Sequence, residues 1–494
     1  MVTRGVRRML VSVVVVSGML ALFVAPSSAG DAANVGLPPK VKAPGGSATP
    51  IGPALPTHGV RAGGTATNFG FCGGDDWEPE ISTSGDHVYA VWAHFVGDPS
   101  CDPASANPNR IYIRVSSDRG RTFGPSHVVA DLVSGMNYPR QVDCVVTVDP
   151  VTGAVYVSFL AYGLQGVKTD VAVAKSTDHG ATFVATKVNG PACTNCDHPW
   201  TATYGDDVYT AYASGKNHFL SRSADGGLTW TETDVLDADA VAFPEGAVLD
   251  SGHNVYFAWG DCKTSSCKSN TAGNYRVSKT LAGSSTTTFA LVATAPAGPK
   301  CPYVPNCGFA FFGIQDDIAI DGAGNLYLVW QDGQDHSKQG SPPIVQLSKS
   351  TDGGATWTYV GRVDDKAAYG CAASACYALF PRVEGGAANQ IAVTWMDDRN
   401  GAPLDHTNGW NVWLRSSTTG GSTWSGASRR VSQYDPSRSE SRRRGFLFPY
   451  GDYQGIDLMV GSGKTRAVMI WGEGWNYTGG PTQPGHVIFR SLAF

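Results

Sequence analysis

Seven apolar stretches along this chain end alike. HVYAVW closes at Trp92, AVYVSF at Phe159, DVYTAY at Tyr212, NVYFAW at Trp259, NLYLVW at Trp330, IAVTW at Trp395 and AVMIW at Trp471. Runs of this length, rich in β-branched and aromatic residues, predict strands. Few stretches carry the spacing of an amphipathic helix. The turns before several of them hold Asp and Gly, as in Asp250–Asn254 and Asp321–Asn325, and these residues tolerate the left-handed backbone of a tight hairpin. Each unit reads as a first strand, a turn, a second strand ending in an aromatic, and a third strand. Seven second strands predict seven such units, or six if one is an insertion.

The third strands run into a shared turn: SSDRGRTF (Ser116–Phe123), STDHGATF (Ser176–Phe183), SADGGLTW (Ser223–Trp230) and STDGGATW (Ser350–Trp357). The segment Ser278–Phe289 is a degraded copy, and Ser417–Trp424 carries Thr419 where the aspartate is expected. An aspartate here can accept hydrogen bonds from its own turn, and the glycine takes a backbone shape other residues resist. The threonine and the aromatic then pin the turn against a neighbouring strand. The motif is expected to lock a hairpin and to have no part in catalysis.

The pattern Ser-x-Asp-x-Gly-x-Thr-Trp/Phe resembles the Asp box, or BNR repeat, of the sialidase-like superfamily. The resemblance spans about residues 77–494. It implies an all-β fold, a β-propeller of four-stranded antiparallel blades. The last unit reaches the C-terminus with three strands, so its fourth is expected from residues upstream of Trp77, closing the ring with N- and C-terminal strands. Sialidases proper resemble six-bladed rings, so seven blades is a departure.

Composition fits this architecture: Gly is abundant at 60 residues, and charged residues make up only 16%. The first 29 residues read as a secretory signal, with a basic start (Arg4, Arg7, Arg8), an apolar run from Met9 to Val24 and small residues up to Ala29. Export predicts an extracellular protein. No other stretch is long and apolar enough to span a membrane. Residues 30–66 form a leader rich in Pro, Gly and Ala, and 67–494 a single propeller domain. Cleavage takes the formal charge from −5 to about −8, which argues against nucleic acid as a partner. Eleven cysteines remain. Cys193 with Cys196, Cys262 with Cys267, Cys301 with Cys307 and Cys371 with Cys376 are spaced as loop-stapling disulfides. Cys193 and Cys196, with His198 nearby, are a weaker zinc candidate. Cys72, Cys101 and Cys144 are left over.

In a propeller the lead-ins to the first strands converge at one mouth. Here they are Trp77-Glu-Pro-Glu80, Tyr138-Pro-Arg-Gln-Val-Asp143, Asp197-His-Pro-Trp200, Phe243-Pro-Glu245, Gln315-Asp-Asp317, Phe380-Pro-Arg-Val-Glu384 and Gly451-Asp-Tyr-Gln-Gly-Ile-Asp457. Nearly every one carries an ionisable group. Arg140 and Arg382 share the context aromatic-Pro-Arg, and a guanidinium suits bidentate binding of a carboxylate. The resemblance implies a triad of arginines on the sugar carboxylate, a Tyr/Glu pair as nucleophile and an Asp as acid/base. The first unit has no arginine where the family's signature would fall, so Arg444 in the run Arg442–Arg444 is the candidate third. Tyr453 is the candidate nucleophile, Glu245 its base, and Asp316 the acid/base group, with Asp75 and Asp76 as alternatives. Trp200 is a candidate surface for a sugar ring.

The implied function is a secreted exo-glycosidase of sialidase type acting on terminal acidic sugars. A glycan-binding propeller without turnover, or a glycosidase using two mouth carboxylates such as Glu245 and Asp316, are the alternatives. A glycan is the expected partner. No cofactor is implied, and a calcium held by loop aspartates is left open. A monomer is the simplest oligomeric state.

Overall fold

The structure is a computed structural model. It describes residues 60–61, 66–69, 75–95, 109–163, 169–234, 242–262, 273–284, 286–296, 315–337, 340–369, 371, 376–400, 410–432, 454–461, 464–473 and 486–493. Seven antiparallel sheets follow one another along the chain. Their innermost strands are Asp75–Ser84, Arg140–Val148, Asp197–Tyr204, Ala242–Leu249, Asp316–Ile320, Ala378–Gly385 and Gln454–Met459. Each innermost strand packs against the next, and the seventh packs against the first. The sheets are therefore blades of a closed ring, a seven-bladed β-propeller. Among the described residues the only helix is the short 3-10 turn Lys366–Tyr369.

Blades stack face to face, so a second strand is covered on both sides. This is why those strands read as unbroken apolar runs. Val155–Tyr162, Leu326–Gly333 and Ile391–Asp397 are buried at every position. The terminal aromatics Trp92, Trp395 and Trp471 have no exposed surface.

Closure follows the expected route. Thr67–Asn68 pairs with His486–Ala493 as the outermost strand of blade 7. The N-terminal segment does more than this. Val60–Arg61 adds a parallel fifth strand to blade 6, beside Arg429–Arg430. The N-terminal segment thus ties the outer edges of two adjacent blades, and an edge strand covered in this way cannot recruit another chain.

The four full Asp boxes share one geometry. In the box of blade 5, Asp352 Oδ1 accepts from the Thr356 amide (2.9 Å) and the Ser350 hydroxyl (2.8 Å), the Thr356 hydroxyl donates to Oδ2, and the Gly354 amide donates to Ser350 Oγ (3.0 Å). The same bonds recur around Asp118, Asp178 and Asp225. Thr419 replaces the aspartate in blade 6 by accepting the Thr423 amide at 2.9 Å. The glycines lie in the left-handed region, with φ of +81° at Gly180 and +81° at Gly354.

Each box also docks on the preceding blade. Gly180 rests on Val115 of blade 1. The Gly226 carbonyl accepts from Lys175 Nζ (2.8 Å) and the Tyr156 hydroxyl (3.2 Å) of blade 2. Gly353 is held in the same way by Lys279 and Tyr256 of blade 4. Even the degraded copy keeps the contact, its Gly283 amide donating to Tyr209 of blade 3. At the seam, Gly120 and Phe123 of blade 1 pack on Phe489 of blade 7. The box is thus a latch between blades as well as a lock within one.

Cys193–Cys196 and Cys371–Cys376 are disulfide-bonded, so the first pair is a staple and its zinc reading falls away. Cys262–Cys267 and Cys301–Cys307, as well as Cys72 and Cys101, cannot be followed because they involve residues outside those described. Cys144 is a buried free thiol donating to the Glu78 carbonyl at 3.4 Å. Burial, with Glu78 close by, holds its pKa well above the ordinary thiol value.

Candidate active site at the propeller axis

Strand register identifies one equivalent position in all seven innermost strands, the residue paired with the position just before the second-strand aromatic. In blades 1 to 7 it is Glu80, Val145, Trp200, Gly246, Asp317, Arg382 and Gly455. Five of the strands bulge immediately before it, and at four of those bulges Glu78, Asp143, His198 and Phe380 take φ of 51°, 54°, 51° and 53°. The fifth, in blade 4, lies between Pro244 and Gly246. Left-handed backbone is costly for such residues, and bulges of this kind re-aim side chains.

Arg382 organises the layer. Its Nη2 meets Glu80 Oε2 of blade 1 at 2.8 Å, and its Nε lies 3.4 Å from Asp317 Oδ2 of blade 5. Its Nη1 donates to the Glu245 carbonyl of blade 4 at 3.1 Å. Its guanidinium lies 4.5 Å from the ring centroid of Trp200 in blade 3. One side chain from blade 6 thus touches blades 1, 3, 4 and 5, which places the guanidinium on the axis. Two glycines make room for its partners. A side chain at Gly246 would collide with the Asp317 carboxylate, and one at Gly455 with that of Glu80.

Carboxylates crowd this layer and its neighbours. Burial raises Glu80 to about 7 and Asp317 to about 6, with Arg382 opposing both shifts. One step further along the strands, Glu384 and Asp457 form a second pair. Burial and then Asp457 push Glu384 well up, and burial raises Asp457 to about 6. Toward the start of the strands sits Asp316, 1% exposed. Among the described residues neither of its carboxylate oxygens has a hydrogen-bond partner. Burial, then Asp317 and Asp261, hold its pKa well above the carboxylate range. Glu245, also 1% exposed, has Oε1 at 3.7 Å from Nδ1 of His198. Burial lowers His198 to about 3, so its ring is neutral.

The structure brings Arg382, Trp200, Glu245 and Asp316 to one axial region. It assigns Trp200 a different neighbour from the expected one, since Arg382 covers a face of its ring. Arg140 lies at the start of blade 2's innermost strand, half-buried over Tyr162 at 5.7 Å, and makes no ion pair among the described residues. Asp76 is taken up within blade 1, where Oδ1 accepts from Trp92 Nε1 (2.8 Å) and stands 2.7 Å from His94 Nδ1. Tyr453, Arg444 and the Asp75 side chain lie outside the described residues. Glu80, Asp317, Glu384 and Asp457 were present in the lead-ins but were not singled out. Their signal was position, a carboxylate at or two residues beyond the same register point in blades 1, 5, 6 and 7. Among the described residues no group of three His, Cys, Asp or Glu side chains is arranged to hold a metal.

No family model and no curated protein matches this chain. Solved structures similar to it include a Hadza microbial sialidase, at 15% identity over 85% of this chain and 66% of that one, with a TM-score of 0.41. A mutant Trypanosoma rangeli sialidase displaying trans-sialidase activity is similar at 8% identity over 88% of this chain and 60% of that one, TM-score 0.44. An α-L-arabinofuranosidase from Fusarium graminearum is similar at 12% identity over 65% of this chain and 88% of that one, TM-score 0.40. The chain spans just under two thirds of the length of the first and three fifths of the second. The propeller itself is established by the seven sheets and their closure.

Proposed function

We propose that this chain is an exported glycoside hydrolase whose reaction takes place at the axial mouth, between Asp316 and Glu245. The observation that carries this reading is the state of Asp316. A carboxyl group with no hydrogen bond among the described residues, buried beside other acids, is biased toward its protonated form and has that proton free to give. That is the property required of the general acid that protonates a leaving glycosidic oxygen. Glu245 stands in the neighbouring blade and serves as base or nucleophile. Neutral His198 beside it adds no charge that would weaken it. Arg382 holds blades 1, 4, 5 and 6 in place around the site. Its nitrogens are already directed at Glu80, Asp317 and the Glu245 carbonyl, so it is a poor clamp for a substrate carboxylate. The carboxylate pair therefore suits the terminal sugar of a neutral glycan better than an acidic one.

A second reading keeps the acidic sugar. Arg140 is a guanidinium with no acid partner among the described residues, and with Arg444 and the nucleophile Tyr453 it would serve a sialidase-type reaction. A panel of aryl glycosides, neutral pentosides and hexosides beside a sialoside, separates the two. The first reading expects turnover of a neutral glycoside, lost in Asp316→Asn and Glu245→Gln. The second expects turnover of the sialoside, lost in Arg140→Ala and Tyr453→Phe. No turnover anywhere on the panel, with glycan binding retained, would mean a binding propeller and would refute both.

A further inference from the structure

The latch between blades is built three times with a lysine over a tyrosine: Lys175 on Tyr156, Lys279 on Tyr256 and Lys349 on Tyr327, at 5.5, 5.2 and 5.3 Å. The first two lysines donate to a glycine carbonyl of the next blade's box. Lys349 does not. It donates instead to Asn389 Oδ1 at 2.9 Å, which among the described residues leaves two of its three N–H groups uncommitted.

That exception borders a cleft of about 400 Å³ between the box hairpin of blade 5 and the box turn of blade 6. Lys349, Thr351, Thr358, Tyr359 and Ser422 line it. Among the described residues the hydroxyls of Thr351, Thr358 and Ser422 make no hydrogen bond. Tyr359 is 57% exposed. Among the described residues no acidic side chain lines the cleft, because Thr419 stands where the blade 6 box would carry an aspartate, and Asp352 is turned into its own hairpin. The charge balance of the cleft is positive on an otherwise acidic protein.

We propose that this cleft is a binding site for an acidic saccharide. Lys349 takes the sulfate or carboxylate group, Thr351, Thr358 and Ser422 bond the ring hydroxyls, and Tyr359 offers a flat apolar face beside the ring. An ammonium with spare donors suits an oxyanion, and an exposed aromatic next to hydroxyls suits a sugar. The site is on the rim, away from the axis, and does not depend on the catalytic reading.

Calorimetry or ligand-observed NMR at low ionic strength tests it, with glucose 6-sulfate, glucose and inorganic sulfate as probes. Glucose 6-sulfate is expected to bind roughly tenfold tighter than either other probe, the scale of one charge-assisted contact. Lys349→Met and Ser422→Trp should each abolish that advantage. Lys175→Met, which alters a latch without this cleft, should leave it intact. Ser422→Trp fills the cleft from its exposed rim and keeps the lysine, so loss of binding there cannot be ascribed to a broken latch. Equal binding of glucose and glucose 6-sulfate, binding unchanged in both cleft variants, or no saturable binding would overturn the proposal. Inorganic sulfate binding as tightly as the sugar, with Tyr359→Ala silent, would overturn the saccharide assignment.

Discussion

At the rim, Asp118, Asp178, Asp225 and Asp352 sit in four near-identical turns, and each engages both carboxylate oxygens within its own hairpin. At the axis, one register position holds Glu80, Asp317 and Arg382 in different blades, and Asp316 beside them engages neither oxygen among the described residues. The same residue type is therefore in opposite physical states in two regions of one molecule. Rim aspartates are stabilised as anions by their hydrogen bonds, which pull their pKa values down. Axial acids are deprived of water, and Glu80 and Asp316 are also crowded by like charge, which pushes their pKa values up. Repetition marks what every blade needs in order to stack. Departure from repetition, at a position every blade possesses, marks what only the assembled ring can do.

The largest effect should come from removing the one cation of the axial layer. Arg382→Met leaves Glu80 and Asp317 buried without their counter-charge. It should lower the unfolding free energy by about 3–5 kcal/mol in urea titration at neutral pH. Much of the loss should return at mildly acidic pH, where the two acids take up protons. A destabilisation that ignores pH would mean that packing, not charge, holds the layer.

Wild-type stability should itself show the axial acids. Their folded pKa values lie above the unfolded ones, so the native state keeps protons that the unfolded chain releases. This contribution is fully present below the unfolded carboxylate pKa and is lost as pH rises through the folded values, which for Glu80 means between about pH 4.5 and 7. Glu80 alone accounts for a fall of about 3 kcal/mol across that window. Melting curves at stepped pH check the slope, and Glu80→Gln should flatten it. The rim acids act in the other direction. Their stabilisation is present above the ordinary carboxylate pKa and is lost as pH falls below it, so the optimum should lie near the lower edge of the window. A stability rising from pH 5 to 7 would contradict this assignment of the axial layer.

A smaller effect should follow at a single latch. Gly421 has φ of +85°, and a side chain there would strike Leu347 of the preceding blade. Gly421→Ala should cost about 1–3 kcal/mol from backbone strain and overpacking, without changing any axial titration. Circular dichroism melts with the pH series repeated on the variant check both halves of that statement.

Much of the rim was legible in the sequence. The boxes and the seven second strands follow from local pattern, because a hairpin lock uses residues a few positions apart, and the N-terminal strand completing blade 7 follows from a last unit that has only three strands. The docking of each box on the blade before it was only half visible, since Lys175 and Gly226 are separated by a whole unit. The axis was legible as a list of lead-ins and no further. Arg382 and Glu80 are 302 residues apart, and nothing local says that one will neutralise the other. The role of Gly246 and Gly455 was hidden for the same reason, since each is small on behalf of a carboxylate in the next blade. The bulges that carry Glu78, Asp143, His198 and Phe380 left only a trace, the prolines that recur beside three of them.

The most direct measurement compares one aspartate from each region. Asp316→Asn and Asp352→Ala are assayed side by side for kcat/KM on the best aryl glycoside and for melting midpoint. The axial variant should lose about 10²–10⁴-fold in kcat/KM with its melting midpoint unchanged or raised, while the rim variant should melt earlier and keep its activity while folded. An Asp316→Asn variant that hydrolyses as fast as the parent would contradict the placement of the chemistry at the axis.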